Sequence, residues 1–215
     1  MIRLCNLSDY EDIIRIWNEA FGDSKDFILA FLDNFSQYVY ILDNYAIMTL
    51  LPVTLNNKKG RYIYAVAVDK RMRNCGFGKK LIQFAKENCE DFCVLVPADI
   101  GLFEYYKKLG FSENSNIGKF ERVNWDIKIS AKEYFELRDK HFNGRNYIKW
   151  SENELLKIAS LYNAEFYKNK ESTKISMLSK DRIIECLGGK PIEEKIFSMI
   201  YPDEYKNSYF NIAID

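Results

Sequence analysis

Val66-Ala67-Val68-Asp69-Lys70-Arg71-Met72-Arg73-Asn74-Cys75-Gly76-Phe77-Gly78-Lys79-Lys80-Leu81 is the stretch on which the fold turns. It opens as the end of a β-branched strand. It closes as a helix that starts near Gly78 and turns Leu81, Ile82 and Ala85 to one face. The joint between them holds two glycines and five cationic side chains. A helix N-terminus presents N–H groups without partners and the positive end of the helix dipole. Glycine lets those N–H groups approach an anion without a side chain in the way. Strand, basic glycine-containing turn and helix together make an anion site, most naturally for phosphate. Two familiar phosphate patterns fail on their spacing. A Walker A loop would need Gly at Arg73 and Ser or Thr at Lys80, and a dinucleotide fingerprint would need its third Gly at Leu81.

Toward the N-terminus, Arg61 to Val68 reads as a long strand. Asn56-Asn57-Lys58-Lys59-Gly60 before it is turn chemistry. Tyr38 to Leu42, Asp43-Asn44 and Tyr45 to Leu55 read as a hairpin. Earlier still, Ile2 to Leu7 is a short strand, and Ser8-Asp9-Tyr10-Glu11 has the form of a capping box. Ile13, Ile14, Trp17 and Phe21 follow at helical spacing, with Gly22 at the helix end. A second helix from near Ser24 carries Phe27, Ile28, Phe31, Leu32 and Phe35 on one face.

Toward the C-terminus, Phe92 to Val96 is a buried-type strand. Asp99 to Leu109 reads as a helix closed by Gly110, and Lys119 to Ile129 is strand-like. The order is β-α-α-β-β-β-α-β-α-β, which predicts a mixed sheet with helices packed on it. From about Ser130 a second, smaller unit is expected. Ala131 to Phe142 is a helix. Ser151-Glu152-Asn153-Glu154 caps another, with Leu155, Ile158, Ala159, Tyr162 and Phe166 on its apolar face. Strand-like runs follow at Lys174 to Leu178, Arg182 to Leu187 and Lys195 to Ile200, with Gly188-Gly189 as a turn.

Composition narrows the function class. Lys plus Arg and Asp plus Glu both number 31 in 215 residues, so no basic excess points to nucleic acid. No apolar run is long enough to span a membrane, and Met1 to Asp9 lacks an apolar signal core, so a cytoplasmic location is expected. The five cysteines (Cys5, Cys75, Cys89, Cys93, Cys186) are irregularly spaced and expected as thiols. With no CxxC and His141 as the single histidine, no metal site is expected. His141 lies in a polar stretch and reads as a surface residue.

Arg73-Asn74-Cys75-Gly76-Phe77-Gly78 resembles the R/Q-x-x-G-x-G/A signature of the GNAT N-acetyltransferase superfamily. Tyr105-Tyr106-Lys107-Lys108-Leu109-Gly110-Phe111 resembles the motif that closes the same core, one strand and one helix later, and Leu95-Val96-Pro97-Ala98 is similar to the fifth strand of bacterial members. The resemblance implies an α/β (α+β) fold with a GNAT-type mixed, mostly antiparallel sheet and flanking helices. Residues 1–128 would form the acyl-CoA-binding catalytic domain and residues 129–215 a smaller α/β unit, read as a degenerate partial GNAT-like copy. It implies that Val66, Ala67 and Val68 bind the pantetheine arm of acetyl-CoA by their main chain. Arg73, Asn74, Cys75, Gly76, Phe77, Gly78 and Lys79 would hold its diphosphate, with Arg71 adding charge, while Lys70 and Lys80 read as solvated. Tyr106 would protonate the departing thiolate after direct attack by a small amine acceptor, and an N–H near Val68 would hold the oxyanion. Glu19, Asp23 and Asp69 stand near element ends as candidate bases. Phe197 to Pro202 and Tyr209 to Asp215 look like the ends of larger bacterial GNAT proteins, where the terminal carboxylate, here Asp215, can act as base. The alternative is a non-catalytic acyl-CoA-binding or sensing module.

Overall fold

The computed structural model describes residues 1–120, 127–144, 146–180, 183–188 and 191–206. The expected turn at Gly189, the middle of the strand-like run from Lys119 to Ile129, and the tail that includes Asp215 lie outside the described residues.

The first half follows the expected order. Strand β1 (Ile2–Leu4) leads to helices α1 (Tyr10–Phe21) and α2 (Lys25–Phe35). Strands β2 (Val39–Leu42), β3 (Ala46–Leu55) and β4 (Lys58–Val68) follow as an antiparallel meander. Then come α3 (Phe77–Asn88), β5 (Phe92–Leu95), α4 (Gly101–Lys108) and β6 (Ser112–Phe120). Local chemistry accounts for the joints. Gly22 closes α1 at φ +78°, the Ser24 hydroxyl accepts from the N–H of Phe27 to cap α2, and Asp43 and Asn44 turn the β2–β3 hairpin with φ of 48° and 58°.

Three local expectations are corrected. The N-terminal capping box is Asn6 with Asp9, not Ser8 with Glu11, and Asp9 also receives both arms of Arg3 at 2.6 and 2.7 Å. Gly60 lies inside β4, opposite Phe92 of β5, not in a turn. A Cβ on Gly60 would come within 2.4 Å of the Phe92 ring, so the ring occupies the place of a side chain. Tyr162 and Phe166 fall outside the helix, because α6 (Glu152–Leu161) ends first and the chain turns at Asn163 with φ 49°.

Helices cover both faces of the sheet. On one face, Ile13, Ile16 and Trp17 of α1 and Ile28, Phe31, Leu32 and Phe35 of α2 form a core with the sheet. On the other, Leu81, Ile82 and Ala85 of α3, together with Tyr106 and Phe111, form a second core. β3 is buried along most of its length, as a central strand covered on both sides should be.

The second half forms β7 (Ile127–Ile129), α5 (Ala131–Phe142), β8 (Ile148–Lys149), α6, β9 (Glu165–Lys168), β10 (Ile175–Leu178) and β11 (Ile183–Leu187). A second sheet runs in the order β11-β10-β9-β7. This half packs on the α1 and α2 face: the Phe27 and Tyr162 rings lie 5.8 Å apart, and Tyr134, Phe135, Trp150 and Leu155 join the first core. The last strand, β12 (Pro191–Tyr201), does not stay with the second sheet. It enters the first sheet between β5 and β6, antiparallel to both, with Met199 opposite Leu95 and Ile200 opposite Ser112. Sequence order alone grouped this run with the second unit. In the structure it supplies the neighbour that the fully buried β5 needs on its second edge.

Candidate functional site

The loop from Asp69 to Gly78 is held by one carboxylate. Asp69 is 1% exposed, and it accepts from the Arg71 main-chain N–H at 2.9 Å, from Arg71 Nη2 at 2.5 Å, and from Arg15 of α1. The Arg71 guanidinium first, and then that of Arg15, hold its carboxyl well below the usual carboxylate range. Asp69 is therefore a structural anchor and a poor proton acceptor. Glu19 is engaged as well: Lys70 Nζ lies 2.7 Å from it and lowers its pKa. Asp23 accepts from the Trp17 indole N–H at 2.8 Å. All three candidate bases are thus tied into the scaffold around α1.

Beyond the anchor, Asn74 and Gly76 take left-handed conformations with φ of 64° and 80°. They aim the chain into α3. A Cβ on Gly76 would meet nothing within 4 Å, so the space in front of the helix is open. Gly76 caps α3 without any side-chain hydrogen bond, and the first helical bond runs from Lys80 N–H to the Gly76 carbonyl. The N–H groups of Phe77, Gly78 and Lys79 are thereby left for an external acceptor. Arg73 is exposed, with its Nε 3.4 Å from the Val68 carbonyl, and Lys79 is exposed too. Lys70 is engaged by Glu19, and Lys80 lies 5.5 Å from the centre of the Phe77 ring. Arg71 is committed to Asp69, so Arg73 and Lys79 are the cations nearest to free.

The strand leading in is open along one side. β4 pairs in parallel with β5 from Gly60 opposite Phe92 to Ile63 opposite Leu95, and the pairing stops there. β4 continues to Val68 while paired on its other side with β3, through a bulge at Ala65, whose φ is 50°. The main chain approaching Val66, Ala67 and Val68 thus has a free edge on the β5 side. Val66 and Val68 turn toward the α3 core, and Ala67 toward the α1 core. An extended ligand arm carrying amides can complete such an edge as a strand would. The open edge runs straight into the uncapped helix terminus, so one ligand with an amide arm and a phosphate group would engage both.

Tyr106 lies on α4, 8% exposed, with its ring 6.0 Å from that of Phe111 and 5.2 Å from that of Tyr105. Burial, and then the nearby Tyr105 and Asp99, push its phenol well above the ordinary range. Tyr105 is half-buried, and burial raises it as well. His141 is partly buried against Phe142. Among the described residues no cluster of His, Cys, Asp or Glu could hold a metal ion, and no helix is long and apolar enough to cross a membrane. All five cysteines are free thiols. Sequence reasoning missed Arg15, which reaches Asp69 across 54 residues, a separation at which no spacing pattern gives a signal.

Residues 31–125 match the model of the acetyltransferase (GNAT) domain. No curated protein matches the chain. Among solved structures, the chain is similar to a GCN5-related N-acetyltransferase from Kribbella flavida, at 12% identity and a TM-score of 0.62 over 94% of this chain and 65% of that one. It is also similar to a proposed acetyltransferase from Pyrococcus horikoshii, at 15% identity and a TM-score of 0.58 over 86% of this chain and 70% of that one. A GCN5-related N-acetyltransferase from Anabaena variabilis matches at 13% identity and a TM-score of 0.53, over 86% of this chain and 53% of that one. The chain thus spans just under two thirds of the Kribbella protein's length and about half of the Anabaena protein's. The domain match lies across the open strand, the glycine loop and the tyrosine helix, on a fold shared with these structures.

Proposed function

We propose that the protein transfers an acetyl group from acetyl-CoA to a small amine. The observation that carries this reading is the junction at Val68: an unpaired β4 edge leading into an α3 terminus that has no side-chain cap. The pantetheine amides would pair with the main chain of Val66 to Val68, and the diphosphate would rest on the N–H groups of Phe77, Gly78 and Lys79. Arg73 and Lys79 add positive charge there. The amine attacks the thioester carbonyl, the oxyanion is held by a β4 N–H, and the carbon–sulfur bond breaks. Tyr106 gives its phenolic proton to the leaving thiolate, and the proton that the attacking amine releases to solvent restores the phenol. Burial keeps Tyr106 protonated until the carbon–sulfur bond breaks and the proton passes to sulfur.

The test is a calorimetric titration of acetyl-CoA into the wild type and Gly76→Glu. Open space in front of Gly76 lets the variant fold, with strain of about 1–2 kcal/mol from its positive φ. The new carboxylate should abolish binding. Tyr106→Phe should bind acetyl-CoA normally and lose roughly 100-fold or more in turnover with an accepted amine. A well-folded wild type that binds no acetyl-CoA removes the reading. Binding by the wild type without turnover on any amine points to an acyl-CoA sensor instead.

A further inference from the structure

Tyr105 and Tyr106 are neighbours in sequence, and successive residues of a helix point about 100° apart. Tyr106 goes into the core against Phe111. Tyr105 packs at the margin of the same core, half-buried, with its hydroxyl toward the first turn of α3. A Cβ built on Gly78 would lie 3.2 Å from the Tyr105 hydroxyl oxygen and 3.9 Å from Val68 Cγ2. The phenol of α4 therefore stands where the end of β4 meets the first turn of α3. It lies beside one of the helix positions whose N–H has no partner in the helix.

That hydroxyl is also uncommitted. Among the described residues its oxygen makes no hydrogen bond, and burial alone raises its pKa. The buried phenols of the second half behave differently: the Tyr134 hydroxyl donates to Glu185, and the Tyr147 hydroxyl donates to Asp139 at 2.8 Å. A half-buried phenol with a free proton, set against a helix N-terminus, adds one more donor directed at the same anion.

We propose that Tyr105 is a donor-binding residue whose O–H converges with the α3 N–H groups on the diphosphate of the acyl-CoA. Gly78 then lacks a side chain for two reasons: its N–H must approach the ligand, and its Cβ would crowd the phenol oxygen. The inference rests on the acyl-CoA reading above and divides the two tyrosines, Tyr105 for holding the donor and Tyr106 for the proton.

The experiment titrates coenzyme A and, separately, pantetheine into the full chain and into Tyr105→Phe, Tyr106→Phe and Gly78→Ala. Tyr105→Phe should weaken coenzyme A about tenfold, as expected for one hydrogen bond to a charged group, and leave pantetheine unchanged. In turnover assays its loss should fall mainly in KM for the acyl donor. Tyr106→Phe should show the opposite split, with coenzyme A affinity kept and kcat reduced. Gly78→Ala should weaken coenzyme A, and by a smaller factor when made together with Tyr105→Phe, because the crowded hydroxyl is then gone. A folded Tyr105→Phe that binds coenzyme A like the wild type overturns the inference and leaves the acyl-CoA reading standing. So does an equal loss for pantetheine. A wild type that binds no coenzyme A overturns both.

Discussion

Glu185 and Asp69 are both buried carboxylates gripped by arginine, and their surroundings give them different work. Glu185 of β11 is fully buried, and Arg138 of α5, 3% exposed, meets it through Nε and Nη2 at 3.0 to 3.1 Å while the Tyr134 hydroxyl donates to it. Everything in that cluster faces protein, and Glu185 outweighs the burial that works against the Arg138 charge. Asp69 is as deeply placed, but its partners Arg15 and Arg71 have side chains 40% and 63% exposed. The first arrangement ties a helix to a sheet and is closed. The second ties a loop to α1 and leaves its cations at the surface, beside the glycine turn. Burying a carboxylate secures a segment in both places; only the exposure of the partner leaves a positive field for a ligand.

The largest test of this contrast is Arg138→Leu, which strands a buried carboxylate. It should cost about 3–5 kcal/mol, seen as a fall in Tm of roughly 6–20 °C. Replacing Arg138 and Glu185 together by Leu should recover most of that, since neither charge is then left alone. A single variant as stable as the wild type would show that the pair is hydrated in solution.

Asp69→Asn should act through pH. A carboxylate with a depressed folded pKa adds stability above its unfolded value, about 3.9, and loses it as pH falls toward the folded value. Urea midpoints of the wild type should therefore exceed those of Asp69→Asn at pH 7, and the gap should close steadily below about pH 4. A gap that stays constant with pH would mean that the arginines do not hold Asp69 in solution. At the small end stands Lys128 with Glu165, side chains 61% and 48% exposed. Lys128→Ala should change stability by about 0.5 kcal/mol or less, and a larger effect would mean that exposure is a poor guide to these pairs.

What was legible in the sequence was local. The stretch from Val66 to Leu81 could be read because strand end, glycines and helix face lie within one short window, and the helix buries the expected Leu81, Ile82 and Ala85. Capping was harder: Asn6/Asp9 and Ser8/Glu11 are overlapping patterns of the same form, and the pairing of Arg3 with Asp9 decides between them. Gly60 carried turn chemistry on its own, and only the Phe92 ring across the sheet explains why a glycine stands within a strand. The Arg15–Asp69 contact and the place of β12 depend on pairings between distant segments, for which periodicity carries no signal. Tyr105 and Tyr106 stand on different faces of one helix. Which face met the loop depended on how α4 lies against α3.

The path of β12 also bears on how the molecule is made. β5 and β6 leave the ribosome well before residues 191–201, so until those follow the first sheet has a gap between β5 and its edge strand β6. Contacts closed across such a span raise contact order and slow folding. Until they close, the facing edges of β5 and β6 are open templates for a strand from another chain. The first sheet is thus begun early in sequence and completed late in time, and a chaperone that shields those two edges would act on the step most exposed to aggregation.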